Sequence, residues 1–376
     1  MAPAAKRVLA SAHDPWPGGS WKTRLRRRLL DWFATAQRDL PWRRTRDPYH
    51  VWVSEIMLQQ TQVATVVPYF SRFMAAFPNL AALAAAEEQQ VLRLWEGLGY
   101  YRRARQLHRA AQICVERHDG KVPTTAEAVR ELPGIGRYTA GAILSIAYGQ
   151  PQPIVEANTL RVYSRLLGSR GNPYGTTGQQ LLWQAAQAIL PPRQPGELNQ
   201  ALMELGALVC TPTAPDCPRC PVAALCAARV AGVQLLIPPP KPQPAITALR
   251  EAAVVVRRRN RVLLVRRGQA GRWAGLWDFP RFELQAASPP EIAVELQHKV
   301  RALAAVEIAL GETFATLKHG VTRYAITLTC HQARYKSAAR GTSPAPEIEL
   351  RWLEPEELVS YPLNATGRKI AQMVGE

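Results

Sequence analysis

The sequence predicts two domains of different class, a mostly α-helical one over residues 21–237 and a smaller α+β one over residues 249–376. Three observations predict it. The chain's 376 residues exceed what one hydrophobic core usually holds. Apolar residues recur three and four apart as far as about Leu236 and then give way to strand-like runs. Between the two patterns stands "PPPKPQP", Pro238–Pro244, a stiff extended joint within a linker over residues 238–248. Residues 1–20 read as an N-terminal tail.

The helical part follows from its punctuation. "LRRRLLDWFATAQ", "VWVSEIMLQQTQVATVVPYFSRFMAAF", "EEQQVLRLWEGLG" and "AGAILSIAYG" each carry an apolar stripe, and Pro, Gly and Asp separate them in "TRDP", "FPNL" and "YGQPQP". Beyond the linker, "AAVVVRRRNRVLLVRR" predicts two strands around a turn at Asn260. "RYAITLTCH" predicts a further strand and "PPEIAVELQHKVRAL" a helix. No internal repeat is evident.

Charge narrows the partners. The formal net charge is +18, and nine basic residues from Lys22 to Arg46 face only Asp31 and Asp39. Arg102, Arg103, Arg105 and Arg109 follow a tyrosine pair. Such clustering draws polyanions, with nucleic acid ahead of an anionic membrane surface. No apolar run is long enough to span a bilayer, and the first residues lack the apolar core of a signal peptide. The expected location is therefore inside the cell, in the cytoplasm.

Two local motifs carry chemistry. Cys210, Cys217, Cys220 and Cys226 crowd into "CTPTAPDCPRCPVAALC" with gaps of six, two and five residues. Inside a cell this density argues for metal over disulfides, and four thiolates suit either zinc or an iron–sulfur cluster. Cys114 and Cys330 stand alone and read as small buried thiols. In "LPGIGRYTAGAIL", Gly134 and Gly136 flank Ile135 at a helix start, where backbone amides can face a phosphate. Alone, such a turn could equally join two packed helices.

Taken together, these segments resemble a known family. The Cys-x6-Cys-x2-Cys-x5-Cys loop is similar to the 4Fe-4S loop of endonuclease III-like DNA glycosylases, and "LPGIGRYTAGAIL" resembles their helix-hairpin-helix, which grips DNA without reading sequence. "LPWRRTRDPYHVWVSEIMLQQTQVATVVPYF", Leu40–Phe70, and "WEGLGYYRRARQLHRAA" narrow the resemblance to the MutY family of adenine glycosylases. It implies one 4Fe-4S cluster on the four cysteines, duplex DNA containing a mismatch as partner, and a monomer. It implies Glu55 as general acid and base, Trp42 and Arg43 as walls of the adenine pocket, and Gln60 with Tyr100 as wedges in the duplex. Gln59, Thr61, Leu98 and the hairpin residues would join them at the DNA, and Arg219 in the cysteine loop would meet a phosphate. Tyr138 stands where bifunctional members carry the imine-forming lysine, so excision without strong strand cleavage is implied.

Two places depart from the family pattern. "PIVEANTLRV" aligns with Pro-x-x-Asp-x-Asn-Val-x-Arg-Val, which places Glu156 at the aspartate, beside Asn158. Glu156 would then be the ionised group that steadies the sugar cation; the alternative is a residue that merely favours the helix start, with Asn158 as a cap. The C-terminal part resembles the Nudix-like (MutT-like) lesion-reading domain of the family. It lacks the Arg-Glu-x-x-Glu-Glu run of a pyrophosphohydrolase, and "ATLKHGVTRY" sets Lys318 and His319 where Phe-Ser-His is usual. The activity implied is removal of adenine opposite 8-oxoguanine or guanine. A glycosylase of another mismatch specificity, or a silent lesion binder, would share these features.

Overall fold

The computed structural model describes residues 14–242, 245–268, 271–344 and 348–375. Gln243 and Pro244 of the proline-rich run, and residues 1–13 of the tail, lie outside the described residues. The chain forms two compact units, and neither is continuous in sequence. One comprises the residues up to Met74, Asn79–Ala81 and Ala110–Pro242; the other comprises Ala75–Pro78, Ala82–Arg109 and the residues after Pro242.

The first part of the chain is helical: α1 (Trp21–Ala36), α2 (Pro48–Leu58), α3 (Val63–Ala76), α4 (Leu80–Ala85), α5 (Glu88–Trp95), α6 (Arg102–Arg117), α7 (Ala126–Glu131), α8 (Arg137–Ile146), α9 (Ala157–Leu167), α10 (Thr176–Ile189), α11 (Pro195–Leu208) and the short α12 (Ala227–Val230). In α1, Trp21, Leu25, Leu29 and Phe33 form the stripe that the spacing predicts, and it packs with α9, α10 and α11 in one core. Trp16, in the segment read as a tail, belongs to that core: its indole N–H donates to Ala185 O (2.8 Å) and its ring stacks on Trp21.

Two helices approach Glu156 closely through glycines. At Gly141 of α8 a Cβ would lie 2.3 Å from Pro153 O, and at Gly206 of α11 it would lie 2.6 Å from the Asn158 Cβ. No side chain fits either gap, so these glycines let α8 close on the segment before Glu156 and α11 on the start of α9.

The second unit is built on a seven-stranded sheet: β1 (Thr247–Arg258), β2 (Arg261–Arg266), β3 (Trp277–Asp278), β4 (Arg281–Glu283), β5 (Val306–Val321), β6 (Tyr324–Ala338) and β7 (Glu349–Leu353). The path runs β3-β2-β1-β6-β5, with β1 and β6 parallel, β4 paired to β1 and β7 to β2. β1 and β2 turn at Arg259 and Asn260, as the sequence predicts. Helix α13 (Pro289–Ala304) covers one face and α14 (Ala365–Gly375) the other. The α5 region belongs here because its polar groups are answered here: Arg368 Nε donates to Glu96 Oε1 (2.7 Å) and the Trp277 indole N–H to Gln89 Oε1 (3.0 Å).

Candidate active site

Helix α2 starts firmly, with Asp47 accepting from Tyr49 N (2.8 Å) and Pro48 in its first turn. It then buries almost every residue from Val51 to Met57, and that run brings Glu55 into the interior at 6% exposure. The carboxylate opens onto a cleft lined also by Trp42, Arg43, Tyr138, Glu156, Asn158, Gln200 and Glu204. The hydroxyl of Tyr138, in the first turn of α8, donates to Glu55 Oε2 at 2.6 Å. Loss of hydration pushes the Glu55 carboxyl up to about 7; the Tyr138 hydroxyl opposes this, the neighbouring Glu156 charge adds to it and Arg43 opposes it. Tyr138 keeps its proton, because burial and the two carboxylates hold its pKa well above the ordinary phenol value.

Glu156 stands at a helix start and also faces the cleft. It is the N-cap of α9, its two oxygens accepting from Asn158 N and Thr159 N at 2.8 Å each, while Thr159 Oγ1 accepts from Glu156 N at 2.9 Å. It also lines the cleft. Burial raises its pKa, against the two backbone N–H donors and the Arg161 guanidinium. The longer side chain thus folds back onto its own helix start. Asn158 is not the cap: its side-chain oxygen accepts from Arg161 Nη2 (3.0 Å).

Sequence reasoning missed the third carboxylate. Glu204 of α11 is fully buried and accepts from Arg38 Nη2 (2.6 Å), Arg38 Nε (2.9 Å), Arg43 Nη1 (3.0 Å) and Arg43 Nη2 (2.9 Å). Burial alone would push this carboxyl up, but the two guanidiniums win and hold it down at about 2. Arg43 is therefore part of the wall because Glu204 fixes it there, with Trp42 packed edge-on against Phe70. An acid among the apolar positions of "ALMELGAL" was the available signal; its partners lie too far along the chain to be read.

Of the remaining first-unit residues Thr61 lines the cleft, and Gln59, Gln60 and the hairpin residues do not. Gln59 ends α2 and its amide reaches Thr139 Oγ1 at 3.4 Å; Gln60 is exposed in the left-handed region at φ 56°; the Thr61 hydroxyl donates to Gln59 O. In the hairpin Gly134 has φ 81°, Ile135 is buried as an anchor, and Gly136 caps α8 with open space where a Cβ would be. That edge is accessible to a ligand backbone. In the second unit, Tyr100 is 47% exposed at φ 47°, and Leu98 is buried with its carbonyl accepting from Arg103 Nη2. His319 Nε2 lies 3.1 Å from Arg281 Nη2.

Cys210, Cys217, Cys220 and Cys226 are unbridged thiols, whereas Cys114 and Cys330 are buried singly. Cys210, Cys217 and Cys226 lie close enough to act electrostatically on Cys220, and Cys210, Cys220 and Cys226 pack against the helical core. Among the described residues no three His, Cys, Asp or Glu side chains are gathered as a single metal ion requires. Soft thiol donors converging in one loop fit a larger sulfur-bridged cluster. Two arginines that sequence reasoning passed over tie this loop to α9. Arg161 Nε donates to Cys210 O (2.7 Å) and Nη2 to Gly206 O (2.8 Å); Arg165 Nη1 donates to Cys210 Sγ (3.3 Å) and Thr211 O (2.7 Å). Arg219 projects from the loop, 3.6 Å from Asp216.

Comparison with known proteins bears on this arrangement. Residues 53–187 match the HhH-GPD superfamily of base excision DNA repair proteins, and residues 252–373 match a NUDIX domain. The adenine DNA glycosylase of Mus musculus is 37% identical over 408 residues, covering 93% of this chain and 78% of that protein. The chain belongs to the adenine DNA glycosylase family. Its namesake in Buchnera aphidicola subsp. Schizaphis graminum is 35% identical over 72% of this chain and 80% of its own length. A solved structure of a thermostable thymine-DNA glycosylase superposes with a TM-score of 0.52 at 28% identity, over 56% of this chain and 98% of that one. The MutY resemblance and the fold class read from the motifs are thus borne out, and by family the chain is a DNA N-glycosylase of base excision repair. Among the described residues no helix is long and apolar enough to cross a membrane.

Proposed function

We propose that this chain hydrolyses the N-glycosidic bond of adenine mispaired with 8-oxoguanine or guanine in duplex DNA. The observation that carries the reading is a buried carboxylate, Glu55, and a half-buried one, Glu156, on one cleft, held by different partners. Glu55, shifted to about 7, keeps a transferable proton near neutral pH and suits protonation of a purine ring nitrogen. Glu156, held by two backbone N–H groups, suits the ionised role beside the developing sugar cation. Tyr138 is committed as a donor to Glu55 and carries no amine, which favours hydrolysis without an imine and without strong strand cleavage.

Reaching the bond requires extrusion of the base at a cost of roughly a few kcal/mol. Gln60 and Tyr100, both exposed and both held at positive φ, suit the place the base leaves. Gly134, Ile135, Gly136 and Arg219 would hold the backbone, and His319 would take part in reading the opposite base. A 4Fe-4S cluster on Cys210, Cys217, Cys220 and Cys226 would order the loop that carries Arg219. The protein purified without oxygen should contain about four irons per chain; stoichiometric zinc after growth in ample iron would refute this.

The likeness to a thymine-DNA glycosylase sustains a second reading, a different mismatch specificity on the same helical unit. Single-turnover incubation with duplexes differing only in the target pair separates the two. Adenine opposite 8-oxoguanine should be excised fastest, and Glu55→Gln should lower that rate by orders of magnitude. Preferential release of thymine would overturn the proposal.

A further inference from the structure

Tyr100 stands on a short connection whose shape and whose place are secured by different parts of the chain. Residues 96–101 join α5 to α6 and hold three positive φ angles: Gly97 at 100°, Gly99 at 70° and Tyr100 at 47°. Glycine takes such angles freely, whereas a tyrosine takes one only where its surroundings impose it. Local partners impose the shape. Trp95 Nε1 donates to Gly99 O (3.2 Å), and Arg103 Nη2 donates to Leu98 O (3.2 Å) and Gly99 O (3.1 Å). The same guanidinium lies 5.5 Å from the centroid of the Tyr100 ring.

Distant partners impose the place. Leu363, just before α14, spends both of its backbone groups on this connection: its N–H donates to Glu96 Oε2 (3.3 Å) and its carbonyl accepts from the Tyr101 hydroxyl (3.4 Å). One residue thus grips the connection at its first and last positions. Leu363 is itself fixed, since it is fully buried and bridged to Trp277 of β3, whose N–H donates to Pro362 O (3.0 Å). Arg368 of α14 strengthens the first grip. Its Nε donates to Glu96 Oε1 (2.7 Å) and its Nη2 to Glu96 Oε2 (3.0 Å), while the same guanidinium donates to Leu358 O (2.7 Å) and Tyr361 O (2.6 Å). The Glu96 side chain is only 9% exposed, so this fork is sheltered from water. One and two turns back along α5 the pattern repeats: Arg93 Nε donates to Val359 O (2.8 Å), and Gln89 Nε2 donates to Gly275 O (3.2 Å).

Opening a base stack costs free energy, and a side chain pushed into the stack meets that cost as a force on its own backbone. A connection that keeps its shape but can recoil would yield instead of the stack. The local bonds of Trp95 and Arg103 set the shape alone; resistance to recoil comes from the bonds to Leu363 and Arg368, which span 262 to 272 positions. We infer that Glu96, Leu363 and Arg368 are positioning residues for Tyr100, so that the C-terminal sheet, through Leu363 and α14, is the mount against which the wedge pushes. This rests on the proposed entry of Tyr100 into the duplex. It gives the three residues a part in base extrusion that the bond-breaking chemistry does not require.

The test is a double-mutant cycle read on base extrusion. The full chain is mixed in single turnover with a duplex holding one adenine·8-oxoguanine pair and 2-aminopurine beside the adenine, whose fluorescence rises as the stack opens; adenine release is scored in the same reaction. Arg368→Met and Glu96→Gln should each slow the fluorescence rise about tenfold, through misplacement of a group they do not touch. Arg368→Lys, which keeps the charge and loses the fork, should fall between the parent and the methionine variant. In a Tyr100→Ala chain, itself slow, the same substitutions should change the rise by less than about twofold. Should Arg368→Met not fold, Glu96→Gln, which keeps the size of the side chain, carries the cycle. Equal slowing with and without Tyr100 would overturn the inference and leave Arg368 a support of the fold, and a parent-like rise in both Arg368→Met and Glu96→Gln would overturn it too. Stack opening by Tyr100→Ala at the parent's rate would remove the wedge itself and the mount with it. No adenine release by the parent sinks the functional reading, whereas intact release with additive losses sinks only the mount.

Discussion

Glu55 and Glu204 stand on the wall of the same cleft, both buried, and they titrate at opposite ends of the carboxylate range. Glu55 is raised to about 7 and Glu204 is lowered to about 2. Burial is common to both, so burial does not decide the outcome. The partners do: Glu55 receives one neutral hydroxyl, while Glu204 receives two guanidinium forks. One is thereby a proton reservoir near neutral pH and the other a permanent anion that fixes Arg43 to the wall. Glu156 combines both influences: burial raises it, while two backbone N–H donors and Arg161 favour its charged form.

The largest expected effect comes from Glu156. Glu156→Gln keeps the size and removes the charge, and single-turnover excision should fall by orders of magnitude while duplex binding stays near that of the parent. Glu156→Asp keeps the charge on a side chain that can still cap α9, as Asp47 caps α2, so it should excise faster than the glutamine variant. Excision at the parent's rate by the glutamine variant would reduce Glu156 to a helix cap.

A stability effect comes next, and its sign differs between the other two acids. The depressed Glu204 pKa contributes about 3 kcal/mol of stability that is present above pH 4.5 and lost as pH falls towards 2. Glu204→Gln should therefore be destabilised by about 3 kcal/mol at pH 7, with the difference closing in acid. For Glu55 the folded pKa is the higher one, so the native state loses up to about 3 kcal/mol as pH rises from 4.5 to 7. Glu55→Gln should then be the more stable protein at pH 8 by denaturant titration. Variants that both destabilise at pH 8 would mean the two sites do not differ as described.

The helical and α+β classes were legible because the spacing of apolar residues changes from helical to strand-like across the proline-rich run. Glu55 was legible only in part: it stands beside the apolar "IML", yet a helix glutamate is more often a solvated surface charge. What was not legible depended on distant partners. Glu204 meets Arg38 across 166 positions, and Arg165 meets the Cys210 sulfur across 45. Gly141 and Gly206 read as ordinary helix residues until the backbone and side chain opposite them are in place. The assignment of α5 to the C-terminal unit rests likewise on Gln89 and Glu96 finding Trp277 and Arg368, which no local pattern announces.

Burial keeps the proton on Glu55 near neutral pH, and among the described residues its side-chain hydrogen-bond donor is a neutral hydroxyl. Carboxyl carbon NMR on glutamate-labelled protein measures this directly, with Glu55→Gln identifying the resonance. The Glu55 signal should titrate near pH 7 in the parent, and higher in Tyr138→Phe, where the donor that favours the charged form is gone. The alkaline limb of the excision rate should move with it, falling as the acid is lost. A Glu55 resonance that titrates near the ordinary glutamate value of about 4.3, and does not move in Tyr138→Phe, would contradict the account.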